Sequence, residues 1–309
     1  MAFDVSRIAF PDLGLRDGGY GSSIVPVGRR ARVVLSLPSG SAKVSLACFD
    51  LVSGEVKVVR GLLGEVRDGC IDDEGQGWLL TTSALVRVDV SATPRILDVL
   101  RPAGLGRDQS RMLDLGDGRL GVCNWLGRSL AVVNPETGVV ARRIRTDAPY
   151  AARVEPDHVT LYSPHGARWT RFHRTELERV GGGPMPTGTS VFLDGEDAVM
   201  VVGERRPIPH STSWEVAPTG VGVYDAVTFA EREFVHLHGE PREVLGLDDQ
   251  HRLVFGGPAG VLLVDRKTLT ERARFEVDGT FEDIAYLSAH RAAVISVRWP
   301  KRELLIVRW

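Results

Sequence analysis

The chain has 309 residues, 43% of them hydrophobic, with 38 basic and 40 acidic side chains and a formal net charge of −2. That much apolar material excludes a disordered chain, and the interspersed charges exclude a dedicated nucleic-acid or membrane surface. Three cysteines, Cys48, Cys70 and Cys123, with no CxxC spacing, exclude a disulfide framework and a structural zinc site.

The opening MAFDVSRIAFPDLG has neither a basic start nor a long apolar run, so no signal peptide is expected. No apolar stretch approaches the roughly 18 residues of a membrane span. With the thiols, this points to the cytoplasm. Within the opening, DVSRIAF (4–10) reads as a strand with no partner beside it. Paired apolar runs joined by short turns follow: VSLACFDLVSGEVKVV (44–59), LVRVDVSATPRILDVL (85–100) and LAVVNPETGVVARRI (130–144). A weaker copy is RWTRFHRTELERV (168–180). Then come VGVYDAVTFAEREFVHL (221–237), VLLVDRKTLTERARFEV (261–277) and the half copy ELLIVRW (303–309).

The residue at the end of the first strand of each pair is Asp50, Asp89, Asn134, His173, Asp225 or Asp265, at spacings of 39, 45, 39, 52 and 40. A short polar side chain there accepts N–H groups of the next turn, so these markers are read as turn chemistry. Two basic runs, RRAR (29–32) and RRIR (142–145), are read as solvated strand edges.

A second pair of strands precedes most of these units: GCIDDEG before GWLLTT, MLDLGDG before RLGVCNW, VLGLDDQ before RLVFGGP and IAYLSAH before RAAVISV. A period near 40 with four short strands is the signature of a β-propeller. The expected fold is all-β, a seven-bladed propeller of four-stranded antiparallel blades forming one domain over 1–309. The last copy ends without an outer strand, which would leave an open edge. Strand 4–10 is expected to complete that blade and close the ring. The pattern resembles the broad seven-bladed group that includes YVTN-type and quinoprotein-amine-dehydrogenase-like repeats, with NPETGVV (134–140) as the local match. The resemblance implies a fold and no activity. The GH…WD signature of WD40 blades is absent, and the residues after Thr137–Gly138 are VVARRI, without the Trp of quinone-binding repeats.

In such a blade, the loop before the inner strand and the loop joining the second and third strands share one face, where the central channel opens. Aligning the copies puts Asp68, Arg111, Glu243 and Asp283 at one position beside the channel. Arg67, Ser110, Arg242 and Glu282 come one residue earlier, and Tyr150 lies in the corresponding loop TDAPYAAR (146–153). The longest connection, ERRPIPHSTSWEVAP (204–218), accounts for the spacing of 52 and carries His210 and Trp214; it is a candidate lid. Asp68, Glu243, Asp283 and His210 are the expected acid–base groups, and Arg67, Arg111, Arg242, Tyr150 and Trp214 the expected binding groups. GGGPMPTGTS (181–190) reads as a flexible loop between blades, with no following helix to make a phosphate cradle. Cys70 begins an inner strand and is read as a buried, inert thiol. His236 and His238 alternate along a strand without a third ligand, so neither a metal nor another cofactor is expected.

Two functions fit. One is an enzyme taking a small molecule at the central channel, with cofactor-independent lyase, isomerase, cyclase or hydrolase chemistry. The other is a non-catalytic scaffold for protein partners, a rigid disc with variable loops. Trp125, Trp214 and Trp299, at or near the loops between second and third strands, suit either. No nucleic-acid or membrane partner is expected.

Overall fold

A computed structural model describes residues 4–13, 23–38, 43–63, 66–82, 84–102, 105, 109–115, 118–124, 128–147, 149–210, 214–237, 241–246, 251–256, 261–275, 280–298 and 302–308. It begins with β1 (Asp4–Ala9) and a 3-10 turn, Phe10–Leu13. The first sheet is β2 (Ser23–Pro26), β3 (Arg32–Pro38), β4 (Lys43–Asp50) and β5 (Val56–Leu63). The second is β6 (Val66–Ile71), β7 (Gln76–Thr81), β8 (Leu85–Asp89) and β9 (Arg95–Leu100). The third is β10 (Gln109–Asp114), β11 (Leu120–Asn124), β12 (Ser129–Asn134) and β13 (Val139–Arg145). Next come β14 (Ala151–Val154), β15 (His158–Ser163), β16 (Arg168–His173) and β17 (Arg179–Pro184), the fourth sheet. The fifth is β18 (Gly188–Asp194), β19 (Asp197–Pro207), β20 (Trp214–Asp225) and β21 (Glu231–His236). The sixth is β22 (Pro241–Gly246), β23 (His251–Gly256), β24 (Val261–Asp265) and β25 (Glu271–Phe275). The seventh is β26 (Thr280–Leu287), β27 (Ala292–Arg298) and β28 (Arg302–Arg308), and β1 adds to it beside β28. β1 is antiparallel to β28, in register from Asp4↔Arg308 to Ala9↔Glu303.

The chain divides into two compact units. One holds the seventh, first, second and third sheets, the other the fourth, fifth and sixth. Successive side chains of a strand point to opposite faces. Both faces are buried here, so the sequence shows continuous apolar runs where a half-exposed sheet would alternate. In the first unit, Val33 and Leu35 of β3 join a cluster with Val294, Leu304 and Ile306 of the seventh sheet. The intervening Val34 packs with Leu79, Val86 and Val88 of the second. In the second unit, Val199 and Val201 of β19 pack on Leu262 and Val264, while Ala198 and Met200 pack toward Tyr162.

Asp50, Asp89, Asn134, Asp225 and Asp265 behave as turn acceptors, whereas His173 does not: its Nδ1 meets the Glu176 carboxylate. Asp225 Oδ1 accepts the N–H groups of Val227 (3.0 Å) and Thr228 (2.8 Å), and its Oδ2 meets Arg232 at 2.8 Å. Asp265 repeats this with Lys267, Thr268 and Arg272. Asn134 Oδ1 accepts from Glu136 and Thr137. The Ser91 hydroxyl and N–H, then Arg95, hold the Asp89 carboxyl down at about 2. The Thr228 and Val227 N–H groups, with smaller help from Arg232, hold Asp225 at about 2.

Three local readings are corrected. Residues 181–184 are not loop but part of strand β17, with Gly183 opposite Trp169 and Gly181 opposite Arg171. The connection 204–218 is mostly ladder, because β19 and β20 stay paired from Gly203↔Pro218 out to Pro207↔Trp214. Arg32 is no solvated edge residue. It is half-buried and donates to Val90 O (2.9 Å), Ser91 O (3.2 Å) and Asp50 Oδ2 (3.3 Å).

Two outcomes are expected. Deleting residues 1–12 removes β1 and the fully buried Phe10 and leaves β28 as an open edge. Phe10 alone represents about 1.5–3 kcal/mol of burial, so the thermal midpoint falls and aggregation rises; an unchanged midpoint refutes this. Asp225→Asn lowers the midpoint at pH 7. The Asp225 pKa is depressed, so its stabilisation is present above the ordinary carboxylate range and is lost as pH falls toward about 2. The parent and variant curves converge there; a gap constant with pH contradicts the assignment.

Candidate functional site

The inner strands β6, β10, β18, β22 and β26 each carry a register shift that skips one residue: Arg67, Ser110, Thr189, Arg242 and Glu282. An extra residue bends a strand and re-aims its neighbours. The residue that follows is Asp68, Arg111, Ser190, Glu243 or Asp283. The four predicted residues therefore do share one strand position. Ser190 shares it too and is buried; an uncharged residue gave the sequence alignment no signal.

In the first unit this position bridges neighbouring inner strands. Asp283 Oδ2 accepts the Ile24 N–H of β2 at 2.7 Å and its Oδ1 accepts the Ile284 N–H at 2.8 Å. Ser23 donates its hydroxyl to Val66 O of β6 at 2.7 Å. Asp68 Oδ2 accepts the Met112 N–H of β10 at 2.9 Å, and its Oδ1 accepts the Gly69 N–H at 2.8 Å. Burial raises the Asp68 carboxyl above its ordinary range, opposed by Arg111 and then by the two N–H groups. Arg111 is half-buried and pairs across the ladder with Cys123, whose thiol burial pushes up to about 12 against the Arg111 charge. Arg67 is exposed. Glu282 turns into the seventh sheet, where Arg302 Nε and Nη2 donate to its two oxygens at 2.8 Å each, and Ser296 donates at 3.3 Å.

Cys48, Cys70 and Cys123 are free thiols, but Cys70 is exposed rather than buried. Burial of the sulfur itself, then the nearby Asp114, Asp68 and Asp72 carboxylates, raise its pKa.

In the second unit, Arg242 and Glu243 lie on β22, and their side chains fall outside the described residues. Tyr150 donates its N–H to Tyr162 O at 2.8 Å, and its ring packs on the cluster between the fourth and fifth sheets. His210 is exposed, with φ +60, just past the end of the β19–β20 ladder. Trp214 is stacked on the His165 ring (4.8 Å, 22°), and the Arg205 guanidinium lies 4.1 Å from its ring centroid. Arg205 also donates to His165 O at 3.2 Å. Burial, then the Arg205 charge, lowers the His165 pKa, which favours the neutral ring that stacks here. The stack pins the arm to the β15–β16 turn. Trp125, Trp299 and His238 lie outside the described residues. Among the described residues no His, Cys, Asp and Glu side chains group as a metal site, and no helix is long and apolar enough to cross a membrane.

No family model matches the chain, and no curated protein matches it. Among solved structures, the WD40 domain of Neurospora crassa Pan2 is similar, with a TM-score of 0.73 over 98% of this chain and 95% of that one, at 12% sequence identity. The fold is thus a β-propeller of four-stranded antiparallel blades. Its likeness to a WD40 domain survives the absence of the WD40 sequence signature.

Asp68→Ala and Asp283→Ala should each leave two main-chain N–H groups without their acceptors, at a cost of about 1–3 kcal/mol per variant. Denaturant unfolding measures this, and parental midpoints for both variants would show that the bridges contribute nothing.

Proposed function

We propose that this chain is a non-catalytic scaffold for protein partners, built as one seven-bladed propeller domain closed by β1 and working in the cytoplasm. The β19–β20 arm is the observation that carries this reading. It runs beyond the neighbouring strands of its sheet, and the face carrying Arg205 and Trp214 is fixed on His165. Glu204, Arg206, Ile208 and His210 are left exposed. A lid has to move, whereas a pinned arm offers a partner a surface already ordered, which lowers the cost of binding. The seven four-stranded sheets and the β1–β28 pairing support the closed ring, and the free thiols suit a reducing compartment.

A second reading keeps the channel as a small-molecule site, with Asp68, Glu243, Asp283 and His210 moving protons and Arg67, Arg111, Arg242, Tyr150 and Trp214 binding. The desolvated Asp68 carboxyl beside Arg111 favours it. Weighing against it, both oxygens of Asp68 and of Asp283 already accept main-chain N–H groups.

The test compares tagged wild type, the arm variant Ile208→Asp/His210→Ala and Asp68→Asn, each recovered from its own cells. Partner proteins should fall about tenfold or more with the arm variant and persist with Asp68→Asn. Equal recovery with all three refutes the arm. A small molecule that co-purifies and is lost only with Asp68→Asn establishes the second reading instead.

A further inference from the structure

We infer that the outer edge of β17 is a docking edge for an extended acidic peptide, which adds to the fourth sheet as a further strand; this deepens the scaffold reading and rests on it. The last strand of a sheet offers unpaired N–H and C=O groups, and proteins ordinarily guard such edges with charged side chains. The other six outer strands, β1, β5, β9, β13, β21 and β25, each carry at least two charged residues; β13 has Arg142, Arg143 and Arg145. β17, RVGGGP, has one charge, at its first residue, and three glycines in its middle.

Gly183 follows from Trp169 on β16, and Gly182 from its positive φ with the Arg179 guanidinium and the Trp169 carbonyl beside it. A Cβ at Gly183 would stand 3.1 Å from Trp169 Nε1, and one at Gly182 would stand 2.9 Å from Trp169 O. Trp169 is half-buried: its ring packs on the cluster that includes Tyr162 and Met185, with the Arg171 guanidinium 6.0 Å from its centroid. An incoming strand thus finds three successive residues without side chains, between the exposed Val180 and Pro184, and the Trp169 indole beside Gly181 and Gly183. Main-chain pairing supplies affinity in this mode, and alternate side chains supply selectivity. Arg179 Nε donates to Gly181 O at 3.3 Å, a long contact that a peptide N–H can replace.

The charge of the edge selects the partner. The strands β16 and β17 contain Arg168, Arg171 and Arg179 and no acidic residue; Arg171 is paired with Glu155 at 3.6 Å, and the exposed Glu178 precedes Arg179, so Arg168 and Arg179 at the two ends of the edge are the charges on offer. Arg168 and Arg179 are exposed, and the Asp147 carboxylate stands 4.0 Å from Arg168. Glutamate or aspartate flanking the paired segment complements them.

The probe is a short peptide of alternating valine and threonine flanked by glutamates, titrated into the full chain. Its controls are a lysine-flanked version and one N-methylated at alternate residues, which keeps charge and side chains but cannot pair. Gly181→Glu is the variant, because a Cβ there meets nothing closer than 3.8 Å, and an unchanged thermal midpoint verifies its fold. The acidic peptide should bind, protect 179–184 from hydrogen exchange, and weaken at least tenfold with N-methylation, with lysine flanks and with Gly181→Glu. No binding at millimolar peptide, or binding indifferent to N-methylation, overturns the inference. So does a dimer that Gly181→Glu dissociates, since the edge would then belong to a second copy. Absence of peptide binding to the unaltered chain, with arm-dependent partners present, refutes this edge alone; the reverse refutes the arm alone.

Discussion

Sheets that share almost no ladder have to be joined by something other than strand pairing. Among the described residues a single parallel bridge, Val27↔Ile71, links one sheet to another. Apolar clusters between facing sheets supply the bulk of the cohesion, but hydrophobic contact is non-directional. In the first unit, direction comes from the residue after the bulge in β26 and in β6, and from Ser23 at the start of β2. Asp283, Ser23 and Asp68 each reach the main chain of the next inner strand at the corresponding level. A bulge re-aims that residue sideways, and a carboxylate with two oxygens can hold its own strand and the next one together. The same burial that raises Asp68 is tolerated because those N–H groups and Arg111 offset it.

The repeat was legible because two periodic features coincide in it: apolar runs buried on both faces and a polar marker every forty or so residues. The arginine that completes several turns was equally visible, at Arg95, Arg232 and Arg272, six or seven residues after Asp89, Asp225 and Asp265; it went unread because charge on an outer strand looks like simple solvation. The bulge position was legible as an alignment column. Its partners were not, because Asp68 meets a residue 44 positions on and Asp283 one 259 positions back.

The departures at β17 and at the arm share a cause. Glycine and proline ordinarily punctuate a chain, so GGGP and ERRPIP read as loops. In β17 Gly183 is set by a neighbouring indole and Gly182 by its positive φ, and in the arm the prolines sit at the free end, Pro207, and at the base, Pro218, beside the irregular step from Val202 to Gly203. Both are places where a missing N–H or a missing side chain costs the ladder little. Strand formation there depends on tertiary contacts, Trp169 on one strand and the Trp214–His165 stack on the other, that no local window contains.

The buried Glu282–Arg302 pair has a different place in this balance. Side-chain exposure is 6% for Glu282 and 0% for Arg302, so the desolvation of both charges consumes much of their attraction. What such a pair supplies is discrimination between registers. Glu282 is the bulged residue of β26, Ser296 lies on β27, and Arg302 opens β28, so one carboxylate fixes three strands against one another. Arg302 also stands 5.9 Å from the ring of Phe10, immediately after β1. A one-residue slip of β1 would exchange its two faces and lift Phe10 from that position. A slip of β28 against β26 would leave Glu282 and Arg302 buried without each other, and the Arg302–Phe10 contact ties β1 to that same alignment.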